Sequence, residues 1–185
     1  TARRHHPNKS ILLVRKEKQV PIPCGIPYIY GTLGSPQKNL IPDFVLESNK
    51  IDLVMAEVTG IDREKQCLLT RDNEVKYERL ILATGSMPTQ PPIPGIDLDG
   101  VFAILKDVEY LAQLQERLKQ AKNIVIIGGG FIGIEFADET NKIDSKNVTV
   151  LELAANCLSL SYDSEFCTEM EDLLRSRGVT VRTSA

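Results

Sequence analysis

The stretch VIIGGGFIGIEF, residues 125–136, joins an apolar run to three consecutive glycines. It contains the spacing G-x-G-x-x-G at Gly128, Gly130 and Gly133. The apolar run is typical of a buried parallel strand, and the residues after the glycines are typical of a helix. Glu152 follows at the end of the next apolar run. This combination predicts a βαβ unit that binds a dinucleotide.

Each of the three glycines meets a separate steric requirement of such a loop. Gly128 allows a tight turn, Gly130 allows the backbone to approach a pyrophosphate, and Gly133 allows helix and strand to pack closely. The helix that follows presents free N–H groups and a partial positive charge to the phosphates. A βαβ turn without a ligand remains the alternative.

Glu152 bears on which nicotinamide dinucleotide binds. Its carboxylate can accept hydrogen bonds from a ribose 2′-hydroxyl, whereas it would repel a 2′-phosphate. The residues after it, LAANCLSLSYD (153–163), contain no Lys or Arg that could bind such a phosphate. The sequence therefore favours NAD(H) over NADP(H).

The chain around this loop alternates between helix-like and strand-like segments. Asp107 can cap a helix that runs to about Lys122, just before the first strand. A second strand is predicted at 147–153, a helix at 163–178 and a third strand at 179–183. This alternation predicts an α/β fold with a doubly wound parallel sheet.

The first half of the chain has shorter and more varied elements. Residues 1–6 resemble the last turn of a basic helix, 10–14 a buried strand, and 35–50 a helical stretch interrupted by proline. Residues 51–85 contain three strand-like runs separated by polar turns, which predict a small antiparallel meander. Residues 86–95 contain four prolines and predict a stiff connector.

Composition excludes several classes of partner. The net charge of −3 and a pI near 5.5 provide no basic surface for nucleic acid or for an anionic membrane. No apolar run reaches the roughly 18 residues that a membrane span needs. The four cysteines form no C-x-x-C pair, which argues against a disulfide scaffold or a metal site and fits a reducing cytoplasm.

Cys24 lies in an unusual stretch, VPIPCGIPYIY (20–30), between two prolines and a glycine. Proline fixes φ and removes a backbone donor, so this stretch cannot form an ordinary helix. A thiol on so stiff a turn is either a packing residue or a sulfur held at a fixed angle for chemistry.

Four motifs occur in a specific order: CGIPY, then AEVTGID, then LILATGSMPTQPPIPG, then VIIGGGFIGIE. In this order they resemble the FAD-dependent pyridine nucleotide–disulfide oxidoreductases. More narrowly, the chain resembles the single-cysteine branch, which contains coenzyme A-disulfide reductases, NADH oxidases and peroxidases, and NADH-dependent persulfide reductases. The resemblance implies a Rossmann-like fold with FAD and NAD(H) as cofactors.

The resemblance also assigns cofactor-binding residues. The ATG segment, Ala83, Thr84 and Gly85, is implied to line the FAD site together with the backbone at Val58. At the end of the first strand, where relatives often carry an acidic ribose-binding residue, this chain reads VRKE (14–17) instead.

The glycine loop carries the residues implied to bind NAD(H). Gly128, Gly130, Ile132 and Gly133 belong to the loop itself. Phe131 matches an aromatic residue that covers the nicotinamide site until the dinucleotide arrives.

Glu135 matches an acidic residue of the family near the nicotinamide. From geometry alone, Phe131 could equally be a packing residue, and Glu135 could stabilise the first turn of its helix.

The resemblance further implies two domains. Residues 1–105 correspond to part of an FAD-binding domain with the cysteine turn and the meander, and residues 106–185 to a truncated NAD-binding domain. Relatives begin with another G-x-G-x-x-G unit and end with a dimerisation domain, which these 185 residues do not contain. We therefore expect a piece of a longer homodimeric protein, inactive by itself.

For Cys24 the resemblance implies a redox role. Two-cysteine relatives carry C-x-x-x-x-C, but the position of the second cysteine is Ile29 here. Cys24 is then expected to form a mixed disulfide or persulfide with a small thiol or disulfide substrate, such as a coenzyme A derivative. The first alternative is an NADH oxidase or peroxidase with a Cys24 sulfenic acid. The second is a noncatalytic NAD(H)-binding module that senses redox state.

The remaining candidate residues have structural interpretations. Cys67, Cys157 and Cys167 are predicted to be structural thiols. Arg3 and Arg4 are predicted to form a solvated, dipole-compensating helix end, with contact to coenzyme A phosphates as the alternative.

Overall fold

A computed structural model describes residues 2–185. The chain forms two compact units. The first comprises the residues up to Val20 together with Ile41–Met87, and the second comprises Pro21–Leu40 and Pro88–Ala185. The segment with Cys24 therefore belongs to the same compact unit as the glycine loop.

The described residues of the first unit form two short helices and five strands. Strand β1 pairs in parallel with β2, and β3, β4 and β5 form an antiparallel sheet in that order. The elements are α1 (Ala2–His5), β1 (Leu12–Arg15), α2 (Phe44–Ser48), β2 (Asp52–Met55), β3 (Val58–Asp62), β4 (Cys67–Thr70) and β5 (Glu74–Lys76).

The meander predicted over residues 51–85 is right in its middle and wrong at both ends. Asp52–Met55 pairs in parallel with β1, because the chain returns to it through α2 rather than through a tight turn. Residues 77–85 form no strand. A strand needs a neighbour for its backbone groups, and no strand of the described chain pairs with this segment. Its apolar residues Ile81 and Leu82 are consequently 76% and 67% exposed.

The second unit confirms the predicted α/β fold with a parallel sheet. Its three strands lie in the order β6-β7-β8, and both pairings are parallel. Three 3-10 turns precede its first helix. The elements are the turns Pro23–Gly25, Pro27–Ile29 and Pro36–Asn39, then α3 (Val108–Gln120), β6 (Asn123–Ile127), α4 (Phe131–Asn141), β7 (Asn147–Leu151), α5 (Ser164–Ser176) and β8 (Thr180–Arg182).

Two apolar clusters hold this unit together. One packs α4 and α5 against the parallel sheet and includes Val148, Val150 and Leu174. The other packs the segment after Cys24 against α3 and α4, and includes Ile29 and Leu111, both fully buried. Burial of one such side chain contributes about 1.5–3 kcal/mol. The second cluster thus attaches the cysteine segment to the dinucleotide-type fold.

No helix within residues 2–185 combines the length and apolar character that crossing a bilayer requires.

Candidate functional site

The glycine loop connects β6 to α4 in the second unit. Gly128 has a φ of +105°, which favours glycine at the turn. A Cβ at Gly133 would lie 1.9 Å from the Gly128 carbonyl oxygen, so helix and loop approach too closely for a side chain. Gly130 is the N-cap of α4, and a Cβ there would meet no described atom within 4 Å. The loop therefore has the shape of a phosphate cradle, and its occupation by a dinucleotide stays a prediction.

Glu152 lies beside this loop, directly after β7. One carboxylate oxygen accepts a hydrogen bond from the Gly129 N–H at 2.6 Å, and the other accepts one from the Ala154 N–H at 2.7 Å. A carboxylate has about four lone-pair sites, so these bonds leave acceptor capacity for ribose hydroxyls. The carboxylate is thus fixed at the position where the sequence predicts a ribose.

Gly129, the middle glycine, had no predicted role. A Cβ at Gly129 would lie 2.4 Å from the Cys157 sulfur and 3.1 Å from a Glu152 oxygen. Its carbonyl accepts from the Leu158 N–H at 2.9 Å. The run of three glycines was the available signal, since the fingerprint requires only the outer two of that run.

Glu171 on α5 is a second residue that sequence reasoning missed. It is 4% exposed, accepts from the Cys157 N–H at 2.8 Å, and pairs with Arg175 at 2.9 Å. Burial, followed by the nearby Glu171 and Glu152 carboxylates, raises the pKa of the Cys157 thiol to about 11. The buried Glu171 carboxylate therefore holds the loop after β7 through its hydrogen bond from the Cys157 N–H.

The aromatic residue at the start of α4 lies outside the buried clusters. Phe131 is 51% exposed, and its ring meets Tyr162 edge-on at 5.8 Å. Tyr162 stacks on Phe166 at 4.8 Å. Phe131 thus packs against Tyr162 at the surface, and its predicted place over the nicotinamide stays a prediction. Ile132 is also exposed, and Glu135 is partly buried one turn into the helix.

Cys24 is exposed in the 3-10 turn Pro23–Gly25, hereafter the cysteine turn. The alternative that Cys24 is a buried packing residue is therefore wrong. Cys67, Cys157 and Cys167 are all fully buried, and burial is the main cause of the raised pKa of each thiol. Among the cysteines of residues 2–185, Cys24 is therefore the accessible thiol.

Asn39 holds the cysteine turn in place. Its side-chain amide donates to the Ile22 carbonyl at 2.9 Å, and its own carbonyl accepts from the Ile22 N–H at 2.8 Å. A Cβ at Gly25 would lie 1.9 Å from the Asn39 side-chain oxygen, so glycine is required there. Ile29, where two-cysteine relatives carry the partner thiol, is a fully buried core residue.

A family model described as pyridine nucleotide-disulphide oxidoreductase matches residues 1–185. The chain belongs to this family. The resemblance drawn from the four ordered motifs is therefore confirmed.

Relatives with established names show the same affiliation. The NAD(P)H coenzyme A polysulfide/persulfide reductase of Pyrococcus horikoshii is 36% identical over 160 residues, which cover 83% of this chain and 36% of the relative. The NADH oxidase of Methanocaldococcus jannaschii is 30% identical over 197 residues, covering 100% of this chain and 43% of the relative.

A solved structure agrees with these relatives. The NAD-dependent persulfide reductase from A. fulgidus aligns with a TM-score of 0.85 and 30% identity over 98% of this chain and 36% of that chain. The chain thus spans between 36% and 43% of the length of these relatives.

In this member of the oxidoreductase family, the residues predicted to line the FAD site lie in the first unit. Val58 opens β3 and is 40% exposed. Ala83, Thr84 and Gly85 are exposed, and Gly85 has a φ of +73°. These four exposed residues do not form an enclosed pocket by themselves.

The first unit also contains a hollow that the sequence did not predict. It lies at the carboxyl ends of β1 and β2, where parallel sheets commonly bind ligands. Its volume is about 320 Å³, and it is lined by Lys16, Met55, Ala56, Glu57, Thr70, Arg71 and Asp72.

Two arginines of the first unit have structural partners. Arg15 contacts both oxygens of Asp43 at 2.8 Å. Arg3 donates to the carbonyls of Asn49, Lys50, Pro7 and Lys9. Arg3 and Arg4 lie in the last turn of α1, which confirms the predicted basic helix end, although the Arg3 guanidinium is bonded to backbone carbonyls. Contact with coenzyme A phosphates stays a prediction.

Proposed function

We propose that this chain is the thiol-bearing and NADH-binding part of an NADH-dependent flavoprotein that reduces a disulfide or persulfide. Coenzyme A disulfide or persulfide is the proposed substrate class. The observation that carries the proposal is the exposed Cys24 on a turn fixed by Asn39, while the other three thiols are buried. The names of the Pyrococcus and A. fulgidus relatives support this class of substrate.

The proposed NAD(H) site is the glycine loop of the second unit. The close approach at Gly133 and the open space at Gly130 fit a pyrophosphate, and α4 directs its N-terminal N–H groups there. Glu152 is proposed to accept the ribose hydroxyls. Phe131 and Glu135 are proposed to flank the nicotinamide, and the Phe131 ring is exposed.

The proposed FAD site involves the first unit. Family membership implies the cofactor, and the hollow at the ends of β1 and β2 offers polar groups of both charges next to Val58. The segment Ala83–Gly85 is proposed to meet the flavin with its backbone. We propose residues 1–105 as the FAD-binding domain and 106–185 as the NAD-binding domain of a homodimeric, cytoplasmic protein. Within 1–105, Pro21–Leu40 and the residues from Pro88 onward belong to the same compact unit as the glycine loop.

The thiolate of Cys24 performs the proposed chemistry. It attacks one sulfur of the substrate disulfide, the S–S bond breaks, and the first thiolate leaves with the bonding electron pair. Cys24 then holds the other half of the substrate in a mixed disulfide. When bound, NADH and FAD supply the two electrons that cleave this mixed disulfide. The balance is one disulfide, one NADH and one proton converted into two thiols and one NAD⁺.

An NADH oxidase is the second candidate, supported by the relative of that name that matches the whole chain at 30% identity. In that case Cys24 would cycle through a sulfenic acid, with oxygen or peroxide as the oxidant.

Steady-state assays on the full-length protein distinguish the candidates. We expect NADH oxidation to require coenzyme A disulfide, with two thiols formed for each NADH, and Cys24→Ser to abolish thiol formation. NADH consumption that depends on oxygen and forms no thiol would support the oxidase instead. NADH binding without flavin and without turnover would support a noncatalytic module.

A further inference from the structure

A buried carboxylate on α4 binds the segment that follows the cysteine turn. Glu139 is 2% exposed, and one of its oxygens accepts from the Thr32 N–H at 2.8 Å. The Thr32 hydroxyl lies 2.8 Å and 3.0 Å from the two carboxylate oxygens. Hydrogen bonds to a charged acceptor are roughly twice as strong as neutral ones. The backbone at Thr32 is therefore firmly attached to α4.

The residues just before Thr32 lie directly on the same helix. A Cβ at Gly31 would lie 2.4 Å from the Glu139 carbonyl oxygen and 2.6 Å from its carboxylate. The Tyr30 ring packs against the Phe136 ring, with centroids 5.4 Å apart. Glycine at 31 and an aromatic pair at 30 and 136 thus allow the backbone to contact the helix.

Lys142 balances the charge of this carboxylate. Its ammonium lies 2.5 Å from Glu139 and 3.3 Å from the Thr32 hydroxyl. The Glu139 carboxylate is the main cause of the raised pKa of Lys142. A buried carboxylate without such a partner would be strongly destabilising.

The same helix begins at the glycine loop. Gly130 is the N-cap of α4, and Phe131 is its first residue. One rigid element therefore carries the proposed nicotinamide site at its N-terminus and holds the cysteine segment along its side.

We propose that Glu139 is a positioning residue that fixes the Cys24 segment relative to the dinucleotide loop. Its role concerns the thiol-dependent half of the reaction and not the oxidation of NADH. This inference rests on the proposed function, since it assigns Glu139 to the delivery of electrons to Cys24.

The test uses the full-length holoenzyme and five variants. Glu139→Gln and Thr32→Val each weaken the contact, and the double variant measures their coupling. Asp138→Asn is the matched control, because Asp138 is the neighbouring carboxylate on α4 and bonds to Arg177 rather than to Thr32. Its distance to Lys142, the partner of Glu139, is 3.6 Å.

Three quantities are measured on each variant. Reduction of dichlorophenolindophenol by NADH reports electron delivery to the flavin, and reduction of coenzyme A disulfide reports the thiol-dependent reaction. Amide hydrogen exchange over residues 24–33 reports the attachment of the segment. Cys24→Ser is included to show that disulfide reduction depends on the thiol.

We expect disulfide turnover to fall about ten-fold or more in the Glu139 and Thr32 variants, because small misplacements of reacting groups are costly. The dye reaction should stay within about two-fold of the native rate. Amide exchange over residues 24–33 should accelerate in the Glu139 and Thr32 variants. The loss of disulfide turnover in the double variant should be smaller than the sum of the two single losses, expressed as free energies. Asp138→Asn should behave as the native protein in all three measurements.

Two results would overturn the positioning role. Faster exchange with unchanged disulfide turnover would leave Glu139 a purely structural residue, and equal losses in both reactions would place its effect on NADH binding. If Cys24→Ser reduces the disulfide at the native rate, the proposed function itself fails. That result does not depend on how the Glu139 variants behave.

Discussion

Gly130 and Gly133 differ in what surrounds their Cα atoms. A substitution at Gly133 should therefore affect folding stability, whereas one at Gly130 should affect NADH binding. Gly133 lies against the Gly128 carbonyl, whereas the space beside Gly130 is open among the described residues. We predict that Gly133→Ala lowers the free energy of unfolding by about 1–3 kcal/mol through overpacking. Gly130→Ala should unfold like the native protein yet bind NADH at least about ten-fold more weakly, since its methyl group would meet the pyrophosphate.

Urea unfolding and NADH fluorescence titration of the two variants measure these effects separately. Native NADH affinity in Gly130→Ala would show that the pyrophosphate does not approach the loop at this residue.

Cys157 makes the stability of the second unit depend on alkaline pH. Its pKa rises from an ordinary 9.0 to about 11 in the folded protein. Below about pH 9 the thiol is protonated in both states, and its contribution to stability is complete. As the pH rises from 9.0 to about 11, the unfolded thiol ionises first, so stability falls.

We predict a loss of at most about 3 kcal/mol across this window, which Cys157→Ala should not show. Urea unfolding at about pH 8 and about pH 10.5 gives the loss of unfolding free energy for each protein. Subtracting the loss in Cys157→Ala from the loss in the native protein cancels the contribution of the other titrating groups. An equal loss in the alanine variant would assign the effect to those other groups.

Single residues also show where sequence reasoning reached its limit. The fingerprint glycines and Glu152 could be found from spacing, because their steric and hydrogen-bonding reasons are local. The exposure of Cys24 could not be found, because the prolines around it are compatible with a buried or an exposed thiol. Asn39, which holds the turn, lies fifteen residues further along the chain and belongs to no motif.

At the scale of elements, the cysteine turn depends on a contact that its own sequence does not contain. Asn39→Ala removes the donor to the Ile22 carbonyl and the packing against Gly25. We predict a loss of about 1 kcal/mol in unfolding free energy, because the Ile22 carbonyl keeps the Gly25 N–H as a donor but loses the Asn39 amide. Amide exchange at Gly25 and Ile26 should accelerate.

Lys38→Ala is the control, since Lys38 lies exposed in the same 3-10 turn as Asn39. Unchanged exchange in Asn39→Ala would show that the prolines alone maintain the cysteine turn.

The errors in element prediction share one physical cause. Period and composition identify a strand, but pairing decides whether it forms and in which direction. Asp52–Met55 pairs with β1 across a helical connection, and Leu80–Leu82 pairs with no described strand. The second unit was predicted well because its βαβ units pair neighbouring strands in chain order.

At the scale of the whole molecule, motif order was more informative than any single motif. A lone G-x-G-x-x-G is a weak signal, but its position after the cysteine turn and the ATG segment predicted the family, which the match over residues 1–185 confirms. What motif order could not predict is the attachment of Pro21–Leu40 to the same compact unit as the glycine loop. That attachment depends on Glu139, Thr32 and the Tyr30–Phe136 pair, which the motifs do not include.

The central claim is that Cys24 is a redox centre. The most direct test is an anaerobic titration of the full-length protein with NADH, monitored by the flavin absorbance at about 450 nm. We predict that the native protein consumes two equivalents of NADH and that Cys24→Ser consumes one, since the variant retains the flavin but lacks the oxidised sulfur. Identical titrations of the two proteins would contradict the claim and leave Cys24 without a part in electron transfer.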